Sequence, residues 1–143
     1  MKKVMILVAM VAALLVFASA AFAALSGTSG SDVLRGNAND NEIYGLKGSD
    51  TIYGFGGDDD LFGGKGFDTI YGGSGHDLLV GSRGQDTLYG GPGDDTIRAS
   101  GDDQVDVVNC GDGDDEVFAD EEDVVNDNCE FLNGAANPPA VTG

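Results

Sequence analysis

From Gly27 to Arg98 one large aliphatic side chain returns at every ninth position: Leu34, Ile43, Ile52, Leu61, Ile70, Leu79, Leu88 and Ile97. Its neighbours are often β-branched or aromatic, as in Thr51-Ile52-Tyr53, Thr69-Ile70-Tyr71 and Thr87-Leu88-Tyr89. Three such residues read as a very short strand whose middle side chain faces inward while the flanking two face outward. A unit that buries a single aliphatic cannot fold alone, so the units must stack. The pattern predicts an all-β solenoid in which strand and turn alternate.

The polar places of the repeat are as regular as the apolar one. The eight units read GTSGSDVLR, GNANDNEIY, GLKGSDTIY, GFGGDDDLF, GGKGFDTIY, GGSGHDLLV, GSRGQDTLY and GGPGDDTIR. Gly opens each unit, and the fourth place is Gly in all but one, where Asn39 stands. The sixth place holds Asp32, Asn41, Asp50, Asp59, Asp68, Asp77, Asp86 and Asp95. Gly at places one and four is expected to supply positive φ and close backbone approach in a tight, carbonyl-exposing turn. The glycines in question are Gly45 and Gly48, Gly54 and Gly57, Gly63 and Gly66, Gly72 and Gly75, Gly81 and Gly84, and Gly90 and Gly93.

Ahead of the repeats lie Lys2 and Lys3, an apolar run from Val4 to Phe17, and the small residues Ala18-Ser19-Ala20-Ala21-Phe22-Ala23. This order is that of a secretory signal peptide over residues 1–23, with cleavage expected after Ala23. The run is shorter than the ~20 apolar residues of a membrane helix, so no span is expected once the signal is removed. Removal takes two of the seven Lys and Arg residues and none of the 25 acidic ones, which leaves a net charge of −20. That charge excludes nucleic acid and anionic membranes as electrostatic partners. It also opposes compaction, so something cationic must offset it if the chain folds.

The eight units closely resemble the RTX (repeats-in-toxin) nonapeptide, G-G-x-G-x-D-x-U-x with U aliphatic. The resemblance implies a right-handed parallel β-roll in which two units make one coil and Ca²⁺ sits between same-side turns of successive coils. Residues 18 apart then lie one strand spacing apart, ~4.8 Å. One edge stacks Asp32, Asp50, Asp68 and Asp86, and the other stacks Asn41, Asp59, Asp77 and Asp95. Two carboxylates at that separation repel by about 1 kcal/mol in water and about 3.5 kcal/mol at an effective dielectric of ~20. A divalent ion that accepts six to eight oxygen ligands in loose geometry reverses the sign. About six sites are expected, from the pairs 32 with 50, 50 with 68, 68 with 86, 41 with 59, 59 with 77 and 77 with 95. The pair that contains the uncharged Asn41 should be the weakest. Folding and ion binding are then one event, at the roughly 10⁻⁴ to 10⁻³ M characteristic of extracellular calcium modules.

After Ile97 the register slips. Aligning Ala99 to Val105 with one residue missing places Asp103 as a further ligand, and the unit CGDGDDEVF places Asp115 as another. A cap from about residue 99 to 133 is expected to close the roll of residues 24–133, followed by a disordered tail over 134–143. Cys110 and Cys129 are the only cysteines, and in an exported chain they predict one disulfide. They are too few, even with the single His76, for a zinc site. His76 falls at a variable turn place and is expected to be exposed.

No HExxH or GxSxG motif occurs, and signal plus repeats fill nearly the whole chain, so an enzyme is not expected. The expected function is a secreted calcium-binding module of the cell surface or matrix. Alternatives are a calcium sink without a partner, or an accessory part of a secreted toxin or hydrolase system. A cleavable N-terminal signal is unlike the uncleaved C-terminal one of many RTX exports and speaks against a toxin. Outward Thr51/Tyr53, Thr69/Tyr71 and Thr87/Tyr89 form a face that either stabilises the sheet or docks a polysaccharide or cell-surface partner.

Overall fold

The computed structural model describes residues 24–126, 128, 129, 131 and 132. The expected signal peptide and the tail from 134 onward lie outside the described residues. No helix occurs among the described residues, hence none long and apolar enough to cross a membrane.

Among the described residues thirteen strands are shared between two parallel sheets, and the chain changes sheet at every turn. The first sheet stacks β1 (Ala24–Ser26), β3 (Glu42–Lys47), β5 (Asp60–Lys65), β7 (Leu78–Arg83), β9 (Thr96–Arg98), β11 (Glu116–Phe118) and β13 (Phe131–Leu132) in that order. The second stacks β2 (Val33–Arg35), β4 (Thr51–Gly56), β6 (Thr69–Ser74), β8 (Thr87–Pro92), β10 (Val107–Asp112) and β12 (Val124–Val125). Pairing is in an 18-residue register, with Thr51 opposite Thr69, Ile52 opposite Ile70 and Tyr53 opposite Tyr71. Two nonapeptides therefore make one coil, and the fold is a parallel β-roll.

Strands are longer than the three residues that the aliphatic pattern predicts. β3 to β8 each run six residues, because the chain stays extended through the opening Gly and pairs again at places two and three, as Leu46 with Gly64 and Lys47 with Lys65. The core is two single files of aliphatics. Ile52, Ile70, Leu88 and Val108 line one sheet, and Ile43, Leu61, Leu79, Ile97 and Val117 line the other, all fully buried. Burial of one such side chain is worth about 2 kcal/mol. On the outer surface the rings of Tyr53, Tyr71 and Tyr89 stack at 4.9 and 4.8 Å, a ladder that fixes the register of the second sheet.

The roll does not stop where the sequence register slips. β10 pairs with β8 through Val107 and Thr87, and β11 with β9 through Glu116 and Thr96, so the offset grows from 18 to 20 residues. The two additional residues are taken up in the loop after Ala99, where Gly101 and Asp103 adopt positive φ of 116° and 58°. Cys110 and Cys129 form the expected disulfide across a sequence separation of 19. It clamps the final coils onto a fully buried side chain, Cys110. Replacing both cysteines by Ala should lower stability in excess calcium by about 3 kcal/mol on the loop-entropy account. Denaturant midpoints of the oxidised parent and the double variant give the answer, and equal midpoints would show that the link restrains nothing.

Candidate metal site

From Asp50 and Asp59 onward, the place-six carboxylates point along the axis of the roll, at the turn of the coil before. The backbone N–H of Asp32 donates to Oδ1 of Asp50, that of Asp50 to Asp68 and that of Asp68 to Asp86, each at 2.8 Å. The opposite edge repeats the arrangement from Asn41 to Asp59, Asp59 to Asp77 and Asp77 to Asp95 at 2.7 to 2.9 Å. These bonds satisfy one oxygen of each carboxylate. The other, Oδ2, is buried and has no hydrogen-bond partner among the described residues in Asp50, Asp59, Asp68, Asp77, Asp86, Asp95 and Asp106. A buried carboxylate oxygen without a partner is costly, and a repeated set of them calls for a ligand.

The charge responds as expected. Burial, partly offset by the accepted backbone N–H bond, raises the carboxyl of Asp50 to about 6, and that of Asp59 to about 7. Asp86 is raised to about 6, and Asp95 and Asp106 to about 7, with neighbouring carboxylates adding to the burial effect. Asp68 and Asp77 shift in the same direction for the same leading reason.

The terminal turns differ. Oδ2 of Asp32 accepts from the backbone N–H and hydroxyl of Thr28 at 2.6 and 2.9 Å. Oδ1 of Asn41 accepts from the N–H of Asn37 at 2.7 Å, and Oδ2 of Asp123 from the N–H of Asp120 at 2.6 Å. End turns close on their own side chains, whereas the turns between them hold an oxygen open.

Backbone carbonyls complete the set of donors. A Cβ added to Gly66, Gly75, Gly84 or Gly93 would come within 3.0 Å of the carbonyl oxygen of Gly48, Gly57, Gly66 or Gly75 respectively. Place-four carbonyls thus project into the gap between same-edge turns, where only hydrogen fits. Place two behaves alike, with Phe55 carbonyl against Gly73 and Gly73 carbonyl against Gly91.

The sequence profile of the RTX calcium-binding nonapeptide repeat (4 copies) matches residues 26–54, 36–70, 53–88, 71–105 and 80–117. The chain belongs to this RTX repeat family. No curated protein and no solved structure matches it.

RTX repeats bind calcium, and the donors in this roll suit that ion. They are hard oxygens only, two carboxylates per same-edge pair plus turn carbonyls, in backbone loops that can flex. No cluster of three or more His, Cys, Asp or Glu gathers among the described residues, so carbonyls must fill out any coordination shell. When bound, calcium would supply the positive charge that the aligned carboxylates require.

Two expectations need correction. Asp103 does not continue the column of Asp86: it is exposed, at positive φ, in the enlarged loop. Asp106 stands there instead, fully buried, with Oδ1 accepting from the N–H of Asp86 at 2.7 Å. The sequence alignment had allowed for one missing residue, whereas the chain carries two additional ones. Asp115 does lie in its column, its Oδ1 accepting from the N–H of Asp95 at 2.8 Å. The second correction concerns glycine. Positive φ occurs at places two and four, not at place one. Place-one glycines such as Gly45, Gly63, Gly72 and Gly81 lie under the carboxylate of their own unit, where an added Cβ would come within 3.0 Å of its Oδ2. Gly54 and Gly90 sit likewise beneath Asp59 and Asp95.

His76 is exposed and belongs to an outer ladder of place-five residues. Asp58 N–H donates to Asp40, His76 N–H to Asp58 at 2.9 Å, and the His76 ring meets the Asp94 carbonyl at 3.1 Å.

Proposed function

We propose that this chain is a secreted module that is unfolded where calcium is scarce and winds into the β-roll on meeting calcium outside the cell. The observation that carries the reading is the run of seven buried Oδ2 atoms without a hydrogen-bond partner. The 25 acidic residues against five Lys or Arg after residue 23, a net charge of −20, support it. So does membership of a repeat family whose proteins are typically extracellular. Ligands would be Asp50, Asp68 and Asp86 on one edge and Asp59, Asp77 and Asp95 on the other, with Asp106 and Asp115 extending the two series by a pair each. Asp32 and Asn41, already engaged by their own turns, would furnish the weakest sites. In this reading the chain acts as a binding or structural element of a surface or matrix and has no catalytic role. The Thr51/Tyr53, Thr69/Tyr71 and Thr87/Tyr89 ladder serves the sheet first, and any polysaccharide or cell-surface partner on that face reads its exposed edges.

Far-ultraviolet circular dichroism of the polypeptide from residue 24 onward, at pH 8 during a calcium titration, provides the test. The expected result is a cooperative passage from coil to β-structure, reversed by EDTA. Magnesium should fail, since it demands near-octahedral coordination and holds its water. A chain equally β-rich after exhaustive chelation at that pH would overturn the proposal.

A further inference from the structure

Only five Lys or Arg residues follow residue 23: Arg35, Lys47, Lys65, Arg83 and Arg98. Two of them lie over aromatic rings, Arg35 at 4.6 Å from the centroid of Tyr53 and Arg98 at 5.2 Å from that of Phe118. The remaining three fall in one column. Lys47 is opposite Lys65, and Lys65 opposite Arg83, all exposed at place three of the first sheet. Like charges one strand spacing apart, ~4.8 Å, repel, and no carboxylate pairs with them: the ion pair among the described residues is His76 with Asp94. A chain so rich in acids could have neutralised this column and has not.

Beside the column runs an open groove of about 300 Å³. Gly64 and Ser82 line its floor, Lys65 and Arg83 one wall, and Tyr44 and Phe62, stacked at 4.8 Å, the other. The backbone under the groove is strained. Leu46 and Ser82 hold φ of 79° and 83° at a place where Gly64, Gly73, Gly91 and Gly111 stand in other units. Such a conformation costs a side chain about 1–2 kcal/mol, and Leu46 recovers little by packing, being 49% exposed. Phe55 holds φ of 82° at the same place on the other sheet, so the strain belongs to place two of the repeat, and at this groove it keeps a Leu side chain on the surface. Along the strands Glu42 and Asp60 stand five residues from Lys47 and Lys65, ~16 Å by backbone, the Glu42 carboxylate accepting from the Tyr44 hydroxyl, and Asp102 closes the far end of the column with its Oδ2 on the N–H of Gly84 beside Arg83.

We infer that the groove binds a linear carboxylated polysaccharide, its carboxylates on Lys47, Lys65 and Arg83 and the apolar faces of its rings against Leu46, Tyr44 and Phe62. A carboxylated sugar chain offers acid groups for the cations and apolar ring faces for the aromatic wall within one ligand. The inference goes beyond calcium binding but rests on it: the net charge of −20 repels a polyanion until the roll is folded with calcium bound, after which the local cation column governs.

Isothermal titration with a six-residue oligogalacturonate, too short to gel, tests it at constant saturating calcium, with circular dichroism recorded on every sample. Binding by the parent should weaken at least tenfold in Lys47→Gln/Lys65→Gln/Arg83→Gln and fall with added salt. Leu46→Gly/Ser82→Gly should also bind less while melting higher, since it removes the strain and the contact together. Undiminished binding by the triple variant overturns the inference, as does equal binding of a neutral oligosaccharide or of hexaglutamate. Absence of binding by a parent with intact β-signal likewise refutes the groove, whereas a β-signal unchanged by chelation refutes the calcium reading instead.

Discussion

Gly66→Ala is expected to prevent the roll from closing at saturating calcium, whereas Gly30→Ala leaves it intact. Both glycines occupy place four of their units on the same edge. At Gly66 φ is 142°, a conformation nearly confined to glycine, and a Cβ would fall within 3.0 Å of the Gly48 carbonyl. Backbone conformation alone costs about 1–3 kcal/mol. The clash adds to this, because a solenoid coil cannot move aside without breaking its pairing with the coils above and below. The same carbonyl is a candidate calcium donor, so the added methyl strikes fold and site together. At Gly30 no coil precedes among the described residues, φ is not in the left-handed region, and a Cβ meets only the Thr28 hydroxyl at 3.8 Å. Circular dichroism and thermal midpoints in excess calcium distinguish the pair. Equal midpoints would mean that place-four carbonyls do not point between coils.

The same contrast shows what could be read from the sequence. Inward aliphatics and the two carboxylate columns follow directly from a period of nine and a coil of two units. Even the one departure at place four, Asn39, has its reason in the fold: among the described residues it lies in the first turn of its edge, with no earlier turn to collide with. Three things were not legible. Ala99 to Val105 holds two more residues than the five that precede the Asp of a regular unit, and nothing local says whether a shifted motif has lost residues or gained them. Only the pairing of Val107 with Thr87 fixes Asp106 as the column residue. Place-two backbone geometry was hidden because Leu46, Phe55 and Ser82 mask the glycine preference seen at Gly64, Gly73, Gly91 and Gly111. The cation column was visible as three residues 18 apart, but its lack of acidic partners depends on the whole surface.

Acid should do for the metal-free roll what calcium does at neutral pH. Asp59, Asp95 and Asp106 are raised to about 7 and Asp50 and Asp86 to about 6 by burial, with the carboxylates stacked around them adding to it. In the unfolded chain the same groups titrate near ~3.9. Between those limits the folded chain holds protons that the unfolded chain has released, so stability is fully present below about pH 4 and is lost as pH rises through 6 and 7. Calcium obeys the opposite rule, because it binds the deprotonated carboxylate and must displace each proton held there. Below the raised pKa values its apparent affinity should fall by about tenfold per pH unit for every proton displaced. In EDTA the chain should therefore show more β-structure at pH 5 than at pH 8, while added calcium should raise the melting temperature strongly at pH 8 and weakly at pH 5. The buried carboxylates would then be destabilising only when charged and alone, which is the condition that calcium removes. A metal-free chain more ordered at pH 8 than at pH 5 would mean that the columns do not oppose folding, and the need for an ion between the coils would lose its physical cause.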